Sequence, residues 1–321
     1  MIKIKKIACL LLAAVMMLLV SCSSGEAKSD KIEILCTIYP QYDWVKNIVG
    51  ECDNVEVRLL VGSGADVHSY QPSVKDVVNI KRSDAVILIG GEADAWVFEA
   101  LEGSQSEIIA LMELDGMALH SVSDECIAEE HDHGHDHGHD HYHDNVIDEH
   151  VWLSVANART ACRAICEWLC EADGENAELY RENTKKYVSE LDALDKSFEE
   201  LAEGAHKPVI FADRFPLVYL FEDYGISYFA AFAGCSADAE ADFDTVTRLA
   251  KKLGESESEY IAVCESSDKR LAESVMGAAG TECDIVVFDS MQSVTERQTE
   301  DGYNYIDAMR TNLDALAKLI K

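Results

Sequence analysis

From residue 32 onward the chain alternates short apolar runs with amphipathic stretches, the rhythm of strand followed by helix. Residues 32–38 (IEILCTI) predict a buried strand, and Pro40 opens an amphipathic helix that Gly50 stops. Residues 55–61 predict a second strand, followed by a loop over 62–70 that contains His68. Ligands of open α/β sheets bind beyond the carboxyl ends of the strands, so this loop is a candidate binding segment. Its Gly62-Ser63-Gly64 lacks the Gly-Lys-Ser/Thr continuation of a phosphate loop. A helix over 73–81, a strand over 84–89, a short helix over 95–102 and a strand over 108–114 complete the first half.

The middle of the chain is helical. Residues 157–171 carry Ile165, Trp168 and Leu169 on one side. Residues 176–201 repeat Leu179, Tyr187, Leu191, Leu194, Phe198 and Leu201 at helical spacing, with no Gly or Pro inside. This longest element stands between two α/β patterns and reads as a rigid connector ended by Gly204. The second half then predicts strands over 209–212, 226–231, 260–264 and 285–288, with helices over 216–224, 242–253, 269–278 and 303–320. The expected fold class is α/β, with lobes at 32–175 and 204–321 joined by a single long helix at 176–203. Strand ends deliver Asp213, Glu265 and Asp289 to the mouth of the second sheet. A carboxylate in such a place is also a common N-cap, and its metal-binding role depends on convergence with other ligands.

Residues 1–22 stand apart from this rhythm. Lys3, Lys5 and Lys6 precede an apolar run over 7–20 that falls short of the roughly 20 residues of a comfortable membrane span. The run ends in Leu19-Val20-Ser21-Cys22, which resembles the lipobox of bacterial lipoproteins, cleaved before the cysteine and acylated on it. Residues 23–31 then form a polar tether. The expectation is a protein held by lipid to the extracytoplasmic face of a bacterial membrane. About 300 residues remain, room for two domains.

Charge narrows the partners. With 27 Lys+Arg against 60 Asp+Glu, the net charge of −33 argues against nucleic acid and against anionic lipid headgroups. Eleven cysteines become nine without Cys9 and Cys22, an odd number with no paired spacing, so a disulfide framework is not expected. Cys162, Cys166 and Cys170 share one helix face; buried small apolar residues are the favoured reading over a thiolate metal site.

Candidate chemistry concentrates in residues 131–154, HDHGHDHGHDHYHDNVIDEHVWLS. His131, His133, His135, His137, His139, His141 and His143 alternate with Asp, Gly and Tyr, so this part has no apolar face to bury. Neutral imidazole is the commonest metal ligand, and such a tract signals metal binding, here expected to be weak and multiple. His150 differs. Val146, Ile147, Val151, Trp152 and Leu153 surround it, so it reads as one ligand fixed in a core.

Two segments carry a family resemblance. Gly64-Ala65-Asp66-Val67-His68-Ser69-Tyr70-Gln71-Pro72 is similar to a Gly-x-x-Pro-His-x-Tyr-x-Pro motif, with Val67 replacing the Pro. Asp148-Glu149-His150-Val151-Trp152-Leu153 is similar to Asp-Pro-His-x-Trp-Leu, with Glu149 replacing the Pro. Over nearly all its length the chain resembles the zinc/manganese solute-binding lipoproteins of ABC importers, and the His-rich loop resembles the zinc-specific branch. The resemblance implies a divalent metal held in the cleft between two lobes, delivery to a membrane permease, a lipid anchor, a monomer and no catalysis. It implies His68 and His150 as ligands. Its third ligand falls on Arg214, ten residues before Tyr224-Gly225, and a guanidinium cannot ligate. Neighbouring Asp213 is the expected substitute, unless Arg214 pairs with it instead. Asp289 matches the fourth ligand, with Glu265 as an alternative. Zinc is the expected ion and manganese the alternative, since imidazoles with added carboxylates suit both. A zinc hydrolase is the rival reading; it needs an open coordination position and often His-Glu-x-x-His, which is absent. A metal buffer acting through its loop alone is the third.

Overall fold

A computed structural model describes residues 31–62, 64–122, 126–127, 147–234 and 241–320. The expected signal segment, lipidated Cys22 and His131–His143 tract lie outside the described residues.

The first half forms β1 (Ile32–Cys36), α1 (Tyr39–Val49), β2 (Val55–Leu59), α2 (Val74–Arg82), β3 (Ala85–Leu88), α3 (Ala95–Leu101) and β4 (Glu107–Ala110). Two helices follow, α4 (Val155–Ala172) and α5 (Ala177–Ala202). The second half forms β5 (Val209–Phe215), α6 (Val218–Asp223), β6 (Tyr228–Ala233), α7 (Phe243–Ser256), β7 (Tyr260–Cys264), α8 (Arg270–Ala279), β8 (Asp284–Phe288), α9 (Glu296–Glu300) and α10 (Tyr305–Leu319).

Each half makes one four-stranded sheet, ordered β2-β1-β3-β4 and β6-β5-β7-β8. All the strand pairs are parallel. Parallel neighbours require crossovers, and the helices of each half supply them and cover the faces. That is why β3 reads as the unbroken apolar run AVIL and is buried throughout. In both sheets the chain reverses direction beside the first strand, so each has a switch point where strand ends open a crevice.

The connector α5 is 26 residues long and packs against α4, α1 and α10. Its buried stripe is Tyr180, Tyr187, Leu191, Leu194 and Phe198; Leu179, expected inside, is exposed. One continuous core holds Ile34 and Trp44 of the first half, Leu191 and Phe198 of α5, and Phe211, Phe288 and Tyr305 of the second. Hydrogen bonds tie the halves together as well. Trp152 Nε1 donates to Ser290 O at 2.9 Å, Tyr305 OH to Trp152 O at 2.7 Å, and Gly64 N to Val294 O at 3.2 Å.

Three expectations need correction, and one element was missed. The strand expected over 108–114 stops at Ala110, and a 3-10 turn over Leu111–Glu113 follows. Helix α7 runs through Gly254 to Ser256, because Glu257 takes the left-handed conformation (φ 49°) that ends it. Strand β5 does not end before Asp213 but continues to Phe215, with a register shift between Phe211 and Arg214. A bulge re-aims the side chains it carries, and Asp213 lies in this one. The short helix α9 was not legible as an element; Thr295 caps it by accepting from Gln298 N.

The described cysteines are all free. Cys162 and Cys166 are buried and Cys170 is half-buried, in line with the apolar reading of that helix face. Burial pushes the Cys162 thiol well up, which opposes a thiolate there.

Candidate metal centre

His68 sits on a single 3-10 turn, Val67–Ser69, just beyond β2. Buried Val67 anchors the turn, and Asp66 Oδ1 caps it by accepting from His68 N at 2.9 Å. His150 immediately precedes a second such turn, Val151–Leu153, whose three side chains are all fully buried. Ser154 then accepts from Asn157 N and starts α4, so this turn is clamped from both sides. Asp148 Oδ1 accepts from His150 N at 2.9 Å and lies 2.9 Å from its Nδ1. Glu149 Oε1 lies 3.3 Å from His68 Nδ1, while its Oε2 accepts from Ala93 N at 2.9 Å.

These carboxylates decide what the rings present. With each Nδ1–H donated to an acid, each Nε2 keeps its lone pair, and the second partner fixes the tautomer and ring orientation. The two Nε2 atoms are 3.2 Å apart. Gln292 Nε2 is 3.0 Å from the Nε2 of His68 and 2.6 Å from that of His150, so one NH2 group can give a hydrogen to each ring. Small residues make the room. A Cβ on Gly91 would stand 2.2 Å from Glu149 Oε2, and one on Gly234 would stand 2.8 Å from His150 Cε1.

Charge follows the same geometry. Burial opposes protonation of His68, but the hydrogen bond and charge of Glu149 and the charge of Asp66 outweigh it and raise its pKa. Burial likewise opposes ionisation of Glu149, and the His68 and Ala93 hydrogen bonds override it and lower its pKa.

The acids of the second lobe are engaged elsewhere. Asp213 Oδ1 accepts from Arg214 N at 2.9 Å and Oδ2 from Cys264 N at 3.4 Å. The Arg214 guanidinium reaches across to Asp66, with Nη2 3.6 Å from Oδ2. Asp289 Oδ1 accepts from Met291 N at 2.9 Å and Oδ2 from Tyr303 OH at 2.8 Å. Burial raises the Asp289 pKa, opposed by those two bonds. Glu265 accepts from Ser290 twice, Oε2 from N at 2.9 Å and Oε1 from Oγ at 2.6 Å. Among the described residues no three His, Cys, Asp or Glu gather as a metal-binding group. Of the residues expected at the centre, the structure brings together His68 and His150; Asp213, Asp289 and Glu265 are not gathered with them.

Residues 34–319 match the family described as zinc-uptake complex component A, periplasmic. The chain belongs to this family.

It is 31% identical over 312 residues to the zinc-binding lipoprotein AdcA of Streptococcus pneumoniae, covering 97% of this chain and 60% of that protein. It is 29% identical to the high-affinity zinc uptake system protein ZnuA of Bacillus subtilis, covering 95% of this chain and 94% of that one. The crystal structure of the Zn(II)-bound ZnuA-like domain of S. pneumoniae AdcA superposes with a TM-score of 0.70 at 27% identity, covering 90% of this chain and 99% of that domain. The chain thus spans little more than half the length of the S. pneumoniae relative. The zinc-uptake family is one of solute-binding transport components, which sets aside the hydrolase reading.

Within this family architecture two residues take roles that the sequence did not reveal. Glu149 stands where the resembling motif has Pro, and it backs the His68 ring. Gln292 is the second lobe's arm into the centre. Its amide is a weak ligand type, and its only sequence signal is its place four residues beyond the end of β8. Met291, next to it in that loop, carries a positive φ of 59°.

Proposed function

We propose that the protein captures zinc outside the cell and hands it to the permease of an ABC importer, as a monomer held by lipid on Cys22. The ion is held by His68 Nε2, His150 Nε2 and, after rotation of its amide, Gln292 Oε1, with a water in the remaining position. The observation that carries this reading is the 3.2 Å between the two Nε2 atoms. Two imidazoles sharing one tetrahedral zinc at about 2.0–2.1 Å stand roughly 3.3 Å apart. The rings are already set at that spacing.

Two imidazoles and an amide favour zinc over manganese, which prefers carboxylate and water oxygens. Asp213 and Asp289 serve in this reading to hold the second-lobe loops. Residues 1–22 are the export signal and 23–31 the tether; 32–175 and 204–321 are the lobes, with 176–203 between them. The histidines over 131–143 collect ions weakly and feed the tight site.

Calorimetric titration of the mature protein with zinc and manganese in parallel tests this. One tight zinc site that outcompetes manganese is expected, and it survives removal of 131–143 with the weak sites lost. Equal affinity for manganese would overturn the zinc assignment, and loss of the tight site on deletion would overturn the division of labour.

A further inference from the structure

Gln292 faces two ways. Its amide nitrogen lies against the two imidazoles, and its Oε1 lies 3.2 Å from Ser290 Oγ. Ser290 is 1% exposed and has a single hydroxyl hydrogen. Glu265 Oε1, at 2.6 Å, takes that hydrogen, since a carboxylate is the stronger acceptor. Ser290 Oγ therefore turns only lone pairs toward Gln292. In this arrangement the NH2 group satisfies both rings, while two oxygens face each other without a hydrogen between them.

Turning the amide by half a revolution reverses the account. Nε2 then donates to Ser290 Oγ, which donates to Glu265, and the chain of donors and acceptors is complete. The carbonyl oxygen now faces two imidazole nitrogens, which is favourable with a metal ion between them or a proton on one ring, and unfavourable against two bare lone pairs. The same side chain thus has one orientation that satisfies the two rings and one that can present its oxygen to a cation, and Ser290 decides how far apart they lie in energy.

We propose that Glu265 is a positioning residue for metal capture: through Ser290 it biases the Gln292 amide toward presenting its oxygen to the ion. This rests on Gln292 acting as a donor. Glu265→Gln inverts the relay, because a side-chain NH2 at this position donates to Ser290 Oγ and sends the serine hydrogen to Gln292 Oε1. That holds the amide with its nitrogen toward the rings.

The test is a double-mutant cycle on the full mature chain, reading zinc affinity by calorimetry and metal-free thermal stability. Glu265→Gln is expected to weaken zinc about tenfold, in the range of changes behind a ligand, with the metal-free melting temperature held or raised. In a Gln292→Leu background, which has no amide to orient, the same change should have little effect. An equal loss in both backgrounds would make Glu265 a distant charge only and overturn the proposal. A fall in metal-free stability with zinc affinity intact would make its role structural and also overturn it. If Gln292→Leu alone leaves zinc affinity unchanged, the donor role of Gln292 fails first, and the relay with it. Should Glu265→Gln not melt cooperatively, Ser290→Ala removes the same link and is read the same way.

Discussion

In the first lobe Asp148 and Glu149 each face a histidine Nδ1; in the second lobe Asp213, Asp289 and Glu265 face nearby backbone or a neighbouring hydroxyl. Asp148 and Glu149 hold the two rings, whereas Asp213, Asp289 and Glu265 hold Arg214 N, Met291 N and Ser290 N. In the proposed reading the first lobe therefore presents a half-site whose rings are already held, and the second presents an amide that turns to bind. A preformed half binds without reorganisation, and a half that reorganises can report occupancy. The contrast also explains how family membership persists although Arg214 stands where the resemblance puts a ligand. The Arg214 guanidinium reaches Asp66, which caps the His68 turn, so this position still joins the second lobe to the first.

The comparison predicts a gradient of effects. His150→Ala should cost the most, about a hundredfold or more in zinc affinity, or about 2.7 kcal/mol. His68→Ala should cost at least about tenfold, its ring being half-buried rather than enclosed. Wild-type affinity in both variants would remove the first lobe from the site.

Asp148→Asn comes next. It leaves His150 in place but weakens the acceptor on Nδ1, and a tenfold to hundredfold loss is expected from about that range for groups behind a ligand. Calorimetry alongside metal-free melting separates this from unfolding, and an unchanged affinity would mean the ring needs no carboxylate to be set.

Asp213→Asn should matter least for the metal, by less than about threefold, since an amide oxygen can still accept from Arg214 N. A loss as large as that of His68→Ala would show that Asp213 leaves its backbone partners and joins the loaded centre.

A smaller effect concerns the joint between the lobes. Asp43 on α1 accepts from Tyr187 OH of the connector at 3.0 Å and from Tyr305 N of α10 at 3.3 Å. Burial raises its pKa from 3.8 to about 6, against the lowering by those hydrogen bonds. The native state therefore holds this proton more tightly than the unfolded chain does. The resulting stability is complete below about pH 4 and is lost as pH rises through about 6. Denaturant midpoints of wild type minus Asp43→Asn should fall across that window and be flat above it. A flat difference throughout would show that Asp43 titrates alike in both states.

Much of this protein was determined by its sequence alone. Alternating apolar runs and amphipathic stretches specify two parallel sheets with helices over them, because strand and helix periods are local properties of the chain. The unbroken stretch without Gly or Pro specifies the connector for the same reason. His68 and His150 were legible because each is embedded in a short motif with its own turn and cap.

The second half of the centre was decided only in three dimensions. Gln292 meets the two rings because the loop after β8 brings its amide to 3.0 Å from His68 and 2.6 Å from His150. Asp213 turns away because a bulge in β5, invisible in an apolar pattern, carries it toward Cys264 N. Glu149 finds His68 through a gap left by Gly91. Each of these depends on which distant groups meet and which hydrogen bonds they complete, and local patterning carries no record of that.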